Sequence, residues 1–265
     1  MIGQDRIKSL LLDYITNETL PRFMMFVGGK GYGKKELTRW LADKMGSSIY
    51  QPESLKVNEI RKMVDDSHAL STNKLYLLAD AEEMTVQAQN ALLKFIEEPP
   101  RGAYIVITLK QPEEVLETIK SRASQLRLQP YTLDELRQVT DNESILKLSN
   151  SIGDIKYLEQ LEDPEKYHNL ANKLVSSLSM VSTANLFKVL DYLDDNTYSI
   201  FVNAIISNLS TRLRESIGYQ DRDETKYIAT LINIVYEYKK YLSYKSLNTR
   251  NLLETMLVDL KKVVK

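Results

Sequence analysis

The segment Gly28-Gly29-Lys30-Gly31-Tyr32-Gly33-Lys34-Lys35 constrains this chain more than any other stretch. It follows an apolar run, Phe23 to Val27, and opens a helical pattern, Lys34 to Met45, so a glycine-rich turn joins a buried strand to a helix. That context fits the phosphate-binding loop GxxxxGK. Glycines let backbone N–H groups turn toward phosphate oxygens, the helix N-terminus adds positive potential, and Lys34 reaches the outer phosphates.

The chain around this loop alternates short apolar runs with helical patterns as far as about residue 128, the signature of a parallel sheet with crossover helices. Phe23 to Val27, Leu75 to Ala79 and Tyr104 to Thr108 read as buried strands. Helices are predicted over Ile7 to Ile15, Lys34 to Met45, Val57 to Leu70 and Thr85 to Glu97, the last stopped by Pro99 and Pro100. Beyond Gln129 strand signals end. Short helices are expected from residue 130 to about 175, with Thr132 and Asp134 capping the first and Gly153 breaking later ones. Longer helices follow, including Thr225 to Tyr244 and Asn251 to Lys262. The expected fold is an α/β P-loop domain over 1–128, a small helical lid over 129–175 and an all-α domain over 176–265.

The loop departs from an ATP-hydrolysing site at its metal anchors. The residue after the loop lysine normally offers a hydroxyl to magnesium, and here it is Lys35, whose ammonium cannot ligate a cation. The second anchor is an aspartate at the end of a later strand, where this chain has Ala79. Asp80 arrives one residue late and either approaches the site or solvates the strand end. Because the metal contributes several kcal/mol to phosphoryl transfer, hydrolysis is expected to fall by orders of magnitude while ATP or ADP binding survives on the loop amides and Lys34.

Lys74 to Pro100, KLYLLADAEEMTVQAQNALLKFIEEPP, resembles the bacterial clamp-loader subunits of the AAA+ superfamily, those of DNA polymerase III, and among them the delta prime group. The resemblance extends to Lys56-Val57-Asn58-Glu59-Ile60-Arg61, to Ser121-Arg122-Ala123, which is similar to the family's Ser-Arg-Cys motif, to Gly153-Asp154-Ile155-Lys156 and to the final helix at Asn248 to Glu254. It implies an AAA+ domain, a lid and a collar through which subunits assemble. The implied partners are other clamp-loader AAA+ subunits, with the sliding clamp and primed DNA reached through the complex.

The same resemblance assigns Arg122 as an arginine finger acting in trans on a neighbouring subunit's ATP, a contribution of roughly 10³ to 10⁵ in rate where such fingers act. Taken alone, an arginine after a helix reads as solvated surface. Lys156 stands where the lid's sensor arginine contacts phosphate, keeping charge but losing the planar fork. Leu109 and Lys110 stand where the family has polar sensor residues, and Asp80 stands where hydrolysing members have the catalytic glutamate. Ile2, Gly3 and Gln4 match the segment near the adenine, and Arg22 is a further candidate for that cleft. The family's four-cysteine zinc module is replaced by Gly46 to Ser54; the chain has no cysteine, so no zinc is expected there. The implied role is a stator that lends an arginine without firing its own site; an autonomous ATPase, with Asp80 and solvent completing a metal site, is the alternative.

Thirty-five basic against thirty-six acidic residues leave a net charge of -1, which argues against a third reading, a stand-alone DNA-binding protein. The start, MIGQDRIKSLLLDYITN, carries charges through its apolar stretch and reads as neither signal peptide nor membrane span, so a cytoplasmic protein is expected. Glu97 and Glu98 read as helix-end residues, since neighbours on a helix point about 100° apart. His68 and His168 lack partners at metal spacing. Tyr227, Tyr236, Tyr238, Tyr241 and Tyr244 share one helical pattern and read as packing rather than base-stacking residues, and Lys261, Lys262 and Lys265 suit a helix C-terminus.

Overall fold

The structure, a computed structural model, describes residues 1–67, 73–244 and 247–263. His68, the expected end of the helix at Leu70, and Lys265 lie outside the described residues. The chain divides into two compact units, Met1–Tyr131 and Thr132–Lys265.

The first unit runs α1 (Asp5–Thr16), β1 (Phe23–Val27), α2 (Lys34–Met45), β2 (Ser48–Tyr50), α3 (Val57–Ser67), β3 (Lys74–Leu78), α4 (Val86–Glu97), β4 (Ala103–Leu109), α5 (Glu117–Lys120) and β5 (Ser124–Arg127). The strands form one parallel sheet in the order β2-β3-β4-β1-β5. All five side chains of β1 are buried, as a strand covered on both faces requires. Their alternation divides the core in two: Phe23, Met25 and Val27 pack with Ile60, Met63, Leu92 and Phe95 from α3 and α4, while Met24 and Phe26 pack with Leu11, Leu37 and Leu41 from α1 and α2.

The two strands without a sequence signal, β2 and β5, lie at the sheet's edges. Ser48 and Ile49 are exposed, and in β5 only Leu126 is buried, so neither carries the apolar run that marks an interior strand. Helix α4 begins as its sequence predicts. The Thr85 side chain accepts from the Ala88 N–H at 3.2 Å, and the helix stops just before the two prolines.

The second unit is helical throughout its described residues: α6 (Leu133–Arg137), α7 (Glu143–Leu148), α8 (Ile152–Leu158), α9 (Lys166–Ser177), α10 (Thr183–Phe187), α11 (Tyr198–Gly218), α12 (Arg222–Lys239) and α13 (Thr249–Val263), with short 3₁₀ turns between some of them. Thr132 caps α6 in a capping box with Glu135; Asp134 sits in the first turn and takes no part in the cap. Gly153 does not break a helix. It lies inside α8, because Ser151 already supplies the cap by accepting from the Asp154 N–H at 3.0 Å, so helix starts ahead of the glycine.

The tyrosines of α12 flank its core rather than compose it. The buried positions are Ile228, Leu231 and Val235; Tyr236 is exposed, as is Tyr241 in the 3₁₀ turn that follows, and the Tyr238 hydroxyl donates to Asp259 of α13. That bond and burial push the Tyr238 phenol up to about 12, burial contributing most. Lys261 donates to the Leu178 carbonyl at 2.9 Å and Lys262 pairs with Asp259 at 2.8 Å. His168 lies 3.4 Å from the Asn208 amide nitrogen through Nδ1, and among the described residues no group of three or more His, Asp or Glu is placed to hold a metal.

Candidate functional site

The sheet brings three chain segments to one edge. β3, β4 and β1 are neighbours, and within two residues of their C-terminal ends stand Asp80, Lys110 and Gly28. In open parallel sheets this is the edge where ligands bind.

The loop from Gly28 to Gly33 follows β1 and turns into α2. Gly31 and Gly33 have φ of 80° and 84°, the left-handed region that favours glycine. At Gly33 space is also closed: an added Cβ would lie 2.6 Å from the Tyr131 hydroxyl, which donates to the Tyr32 carbonyl. The Tyr32 ring lies over Gly29, 3.0 Å from where a Cβ would stand. No side chain caps α2, so its first N–H groups are left for a ligand or solvent. Lys30 is exposed on the loop.

Lys34 is 8% exposed, and its ammonium donates to the carbonyls of Gly28 and Gly29 at 2.6 and 2.9 Å. Burial pulls its pKa down from 10.5 to about 8; Glu82 and then Asp80 pull it upward, Lys110 and Lys35 downward. Five charged groups therefore share this edge.

Lys35 and Asp80 meet. The Lys35 ammonium lies 2.8 Å from Asp80 Oδ2, with both side chains between two-fifths and one-half exposed. Asp80 is itself in the left-handed region, at φ 59° and ψ 50°, and its N–H donates to Thr108 Oγ1 at 3.1 Å, which fixes the carboxylate beside the loop. A half-exposed pair of this kind contributes about 0–1 kcal/mol. Its consequence is positional: a cation already holds the carboxylate that magnesium would need.

Magnesium requires hard oxygen ligands in near-octahedral order. Here the hydroxyl position is Lys35, the strand-end position is Ala79, and Asp80 is engaged by an ammonium. These residues do not fit the ion.

Glu82 and Lys110 were not recognised in the sequence as a pair. Glu82 lies on the 3₁₀ turn Ala81–Glu83, its side chain 2% exposed; Lys110 approaches Oε1 at 3.8 Å, and Oε2 is buried without a hydrogen-bond partner. Burial raises its carboxyl pKa, offset in part by its own backbone and by Lys110. The run Glu82-Glu83 reads as solvated acid; only the buried Ala81 and Met84 around it hint that one of the two points inward.

Gln4 lies beside the loop as a tether. Its amide donates to the Gln129 carbonyl at 2.7 Å and accepts from the Gln129 N–H at 3.0 Å, tying the N-terminus to the chain leaving β5, and Met1 approaches Gly33. Arg22 does not reach the cleft. It precedes β1, so parallel geometry puts it at the opposite edge of the sheet, where it stacks on Tyr104 at 4.5 Å. Lys156 is an exposed residue of α8 in the second unit.

Arg122 follows α5. Its guanidinium pairs with Glu97 Oε1 at 2.7 Å and donates to the Thr118 carbonyl at 2.9 Å, and the side chain is 41% exposed. Glu97 is thus more than a helix-end residue, whereas Glu98 is the C-cap of α4. The buried Gln89 of α4 fixes this corner: it donates to the Met84 carbonyl and accepts from the Leu116 N–H at 2.8 Å, the residue before α5.

Residues 47–132 match the family described as DNA polymerase III, delta subunit. Among curated relatives, DNA polymerase III subunit delta prime of Bacillus subtilis is 29% identical over 157 residues, which is 48% of this chain and 48% of that protein; the chain spans about half of that relative's length. DNA polymerase III subunit gamma of Buchnera aphidicola is 24% identical over 97% of this chain and 73% of its own. Among solved structures, a variant of Thermotoga maritima RuvB superposes with a TM-score of 0.57 at 15% identity, covering 77% of this chain and 87% of that one, a likeness of fold. No helix among the described residues is long and apolar enough to cross a membrane. With its parallel sheet, its loop at the β1–α2 turn and its match over residues 47–132, this chain is similar to the clamp-loader subunits of DNA polymerase III.

Proposed function

We propose that this chain is a delta prime-like subunit of a clamp-loader assembly, one that lends Arg122 to a neighbouring subunit's ATP and does not turn over ATP itself. The observation that carries the reading is the ion pair between Lys35, which stands in place of the metal-binding hydroxyl, and Asp80, the carboxylate one residue past the lost strand-end anchor. Without the divalent cation, charge developing on the transferred phosphoryl has no metal to neutralise it. The anion cradle persists in the loop amides and Lys34, so ATP or ADP binds without efficient hydrolysis.

Arg122 suits the donor role because it sits at the surface, already aimed by Glu97 and Thr118, and carries a fixed positive charge. Its partners are other AAA+ subunits of the assembly. The sliding clamp and primed DNA are reached through the complex, and the helical second unit, which carries Lys156 on α8, supplies the lid and assembly segments.

Co-purification with clamp-loader subunits, followed by ATPase assay of the reconstituted complex, tests this. Arg122→Ala is expected to leave assembly intact and lower hydrolysis by the complex by roughly 10³-fold. Normal hydrolysis in the mutant complex would contradict the donor role.

A further inference from the structure

We infer that the loop is a metal-independent site for the polyphosphate of a nucleotide, in which the ammonium groups of Lys35 and Lys110 take the place of the divalent cation. The inference rests on the reading of the magnesium anchors as lost, and it concerns what has replaced them.

One lysine stands at a strand exit of this edge and another on the first turn of the helix that follows the loop. Lys35 is the second residue of α2, directly after the loop lysine, and Lys110 follows β4, the strand between β1 and β3. Each is positioned by its own carboxylate, Lys35 by Asp80 at 2.8 Å and Lys110 by Glu82 at 3.8 Å. With Lys34 these gather three ammonium groups beside Asp80 and Glu82, with Glu114 facing Glu82, so the positive charge at this edge comes from the chain's own side chains.

The pairing geometry permits the exchange. An ammonium has three rotatable donors and no directional preference for one partner, so Lys35 keeps Asp80 on one N–H and offers others to phosphate oxygens. Both lysine side chains stay partly open, 42% and 33% exposed, so neither is sealed away from an incoming anion. Glu82 is nearly sealed, with an oxygen that has no hydrogen-bond partner. A buried carboxylate in that condition is costly to maintain, and the cluster of cations it serves accounts for its place. The uncapped N-terminus of α2 completes the cradle.

A site whose cations are covalently part of the chain has a distinctive preference. Magnesium neutralises the phosphates in solution, so the metal-bound nucleotide brings less charge to the lysines than the free one does. The free nucleotide is therefore the better ligand.

Calorimetric titration of the full chain with ADP and ATP, in EDTA and in excess Mg²⁺, tests this. Binding in EDTA is expected at least as tight as in Mg²⁺, and Lys35→Ala and Lys110→Ala are each expected to weaken it about tenfold, the loss of a charge-assisted hydrogen bond. Both lysines are partly exposed, and unchanged circular dichroism separates the effect from misfolding. Binding that requires Mg²⁺, binding insensitive to both substitutions, or no binding in either buffer would overturn the inference. A Mg²⁺ requirement without turnover would leave the arginine-donor reading standing; Mg²⁺-dependent turnover by the isolated chain would overturn both.

Discussion

The guanidinium of Arg122 rests 2.7 Å from the carboxylate of Glu97, the last residue of α4. The arginine proposed to act on a neighbour is thus held by the last residue of α4. An exposed pair adds little stability, so the effect of Glu97 is to restrict where the guanidinium points. Glu97→Ala is expected to leave the melting temperature within about a degree, consistent with a surface ion pair, and to lower hydrolysis by the reconstituted complex several-fold, less than Arg122→Ala does. Equal loss in both variants would mean that Glu97 does more than aim the arginine.

Gln89 holds the same corner from inside. Replacing it with Ala orphans the Leu116 N–H that it accepts from, at a cost of about 1–3 kcal/mol. Denaturant unfolding of Gln89→Ala should show that loss, and the complex should lose hydrolysis as α5 shifts. A variant of unchanged stability would show that water replaces the amide without penalty.

Lys34 is buried with its charge, and the folded protein bears that cost to keep a cation in the loop. Lys34→Met is therefore expected to melt at the same temperature or a few degrees higher while losing nucleotide binding. A clear fall in melting temperature would show that the bonds to the Gly28 and Gly29 carbonyls outweigh desolvation.

The same lysine sets a pH dependence with two opposite signs. Its pKa is about 8 in the fold and 10.5 as an ordinary lysine, so between those values the unfolded chain holds a proton that the folded chain has released. Stability contributed by this group therefore rises as pH increases from about 8 toward 10.5. Affinity for ADP falls over the approach to that window, as the ammonium facing Glu82, Asp80, Lys35 and Lys110 loses its charge. Titrations across the range should show both trends, and the stability trend should vanish in Lys34→Met.

The interior of the first unit was legible because its signals are strong and local. β1 matches its apolar run residue for residue, α2 matches Lys34 to Met45, and α4 ends where Pro99 and Pro100 require. The edge strands were not legible, since Ser48–Tyr50 and Ser124–Arg127 bury almost nothing and are fixed by pairing with a neighbour. In the helical unit Gly153 misled, because a serine cap two residues earlier outweighs one helical glycine.

The site was legible where a motif carries it and obscure where only the fold does. The loop and Lys35 could be read from spacing, whereas Asp80 stayed open between the site and a solvated strand end until its pairing with Lys35 was seen. Glu82 could not, since an acid beside another acid looks solvated until the turn after β3 rotates it inward. Arg22 was misplaced for a different reason: it precedes β1 and so belongs at the N-terminal edge of the parallel sheet, opposite the loop.

Phosphate release from ATP by the isolated full-length chain in excess Mg²⁺ tests most directly whether an ammonium at residue 35 has displaced the metal's role. The account predicts no turnover above that of Lys34→Ala. Steady Mg²⁺-dependent hydrolysis by the lone chain, abolished in Lys34→Ala, would contradict it.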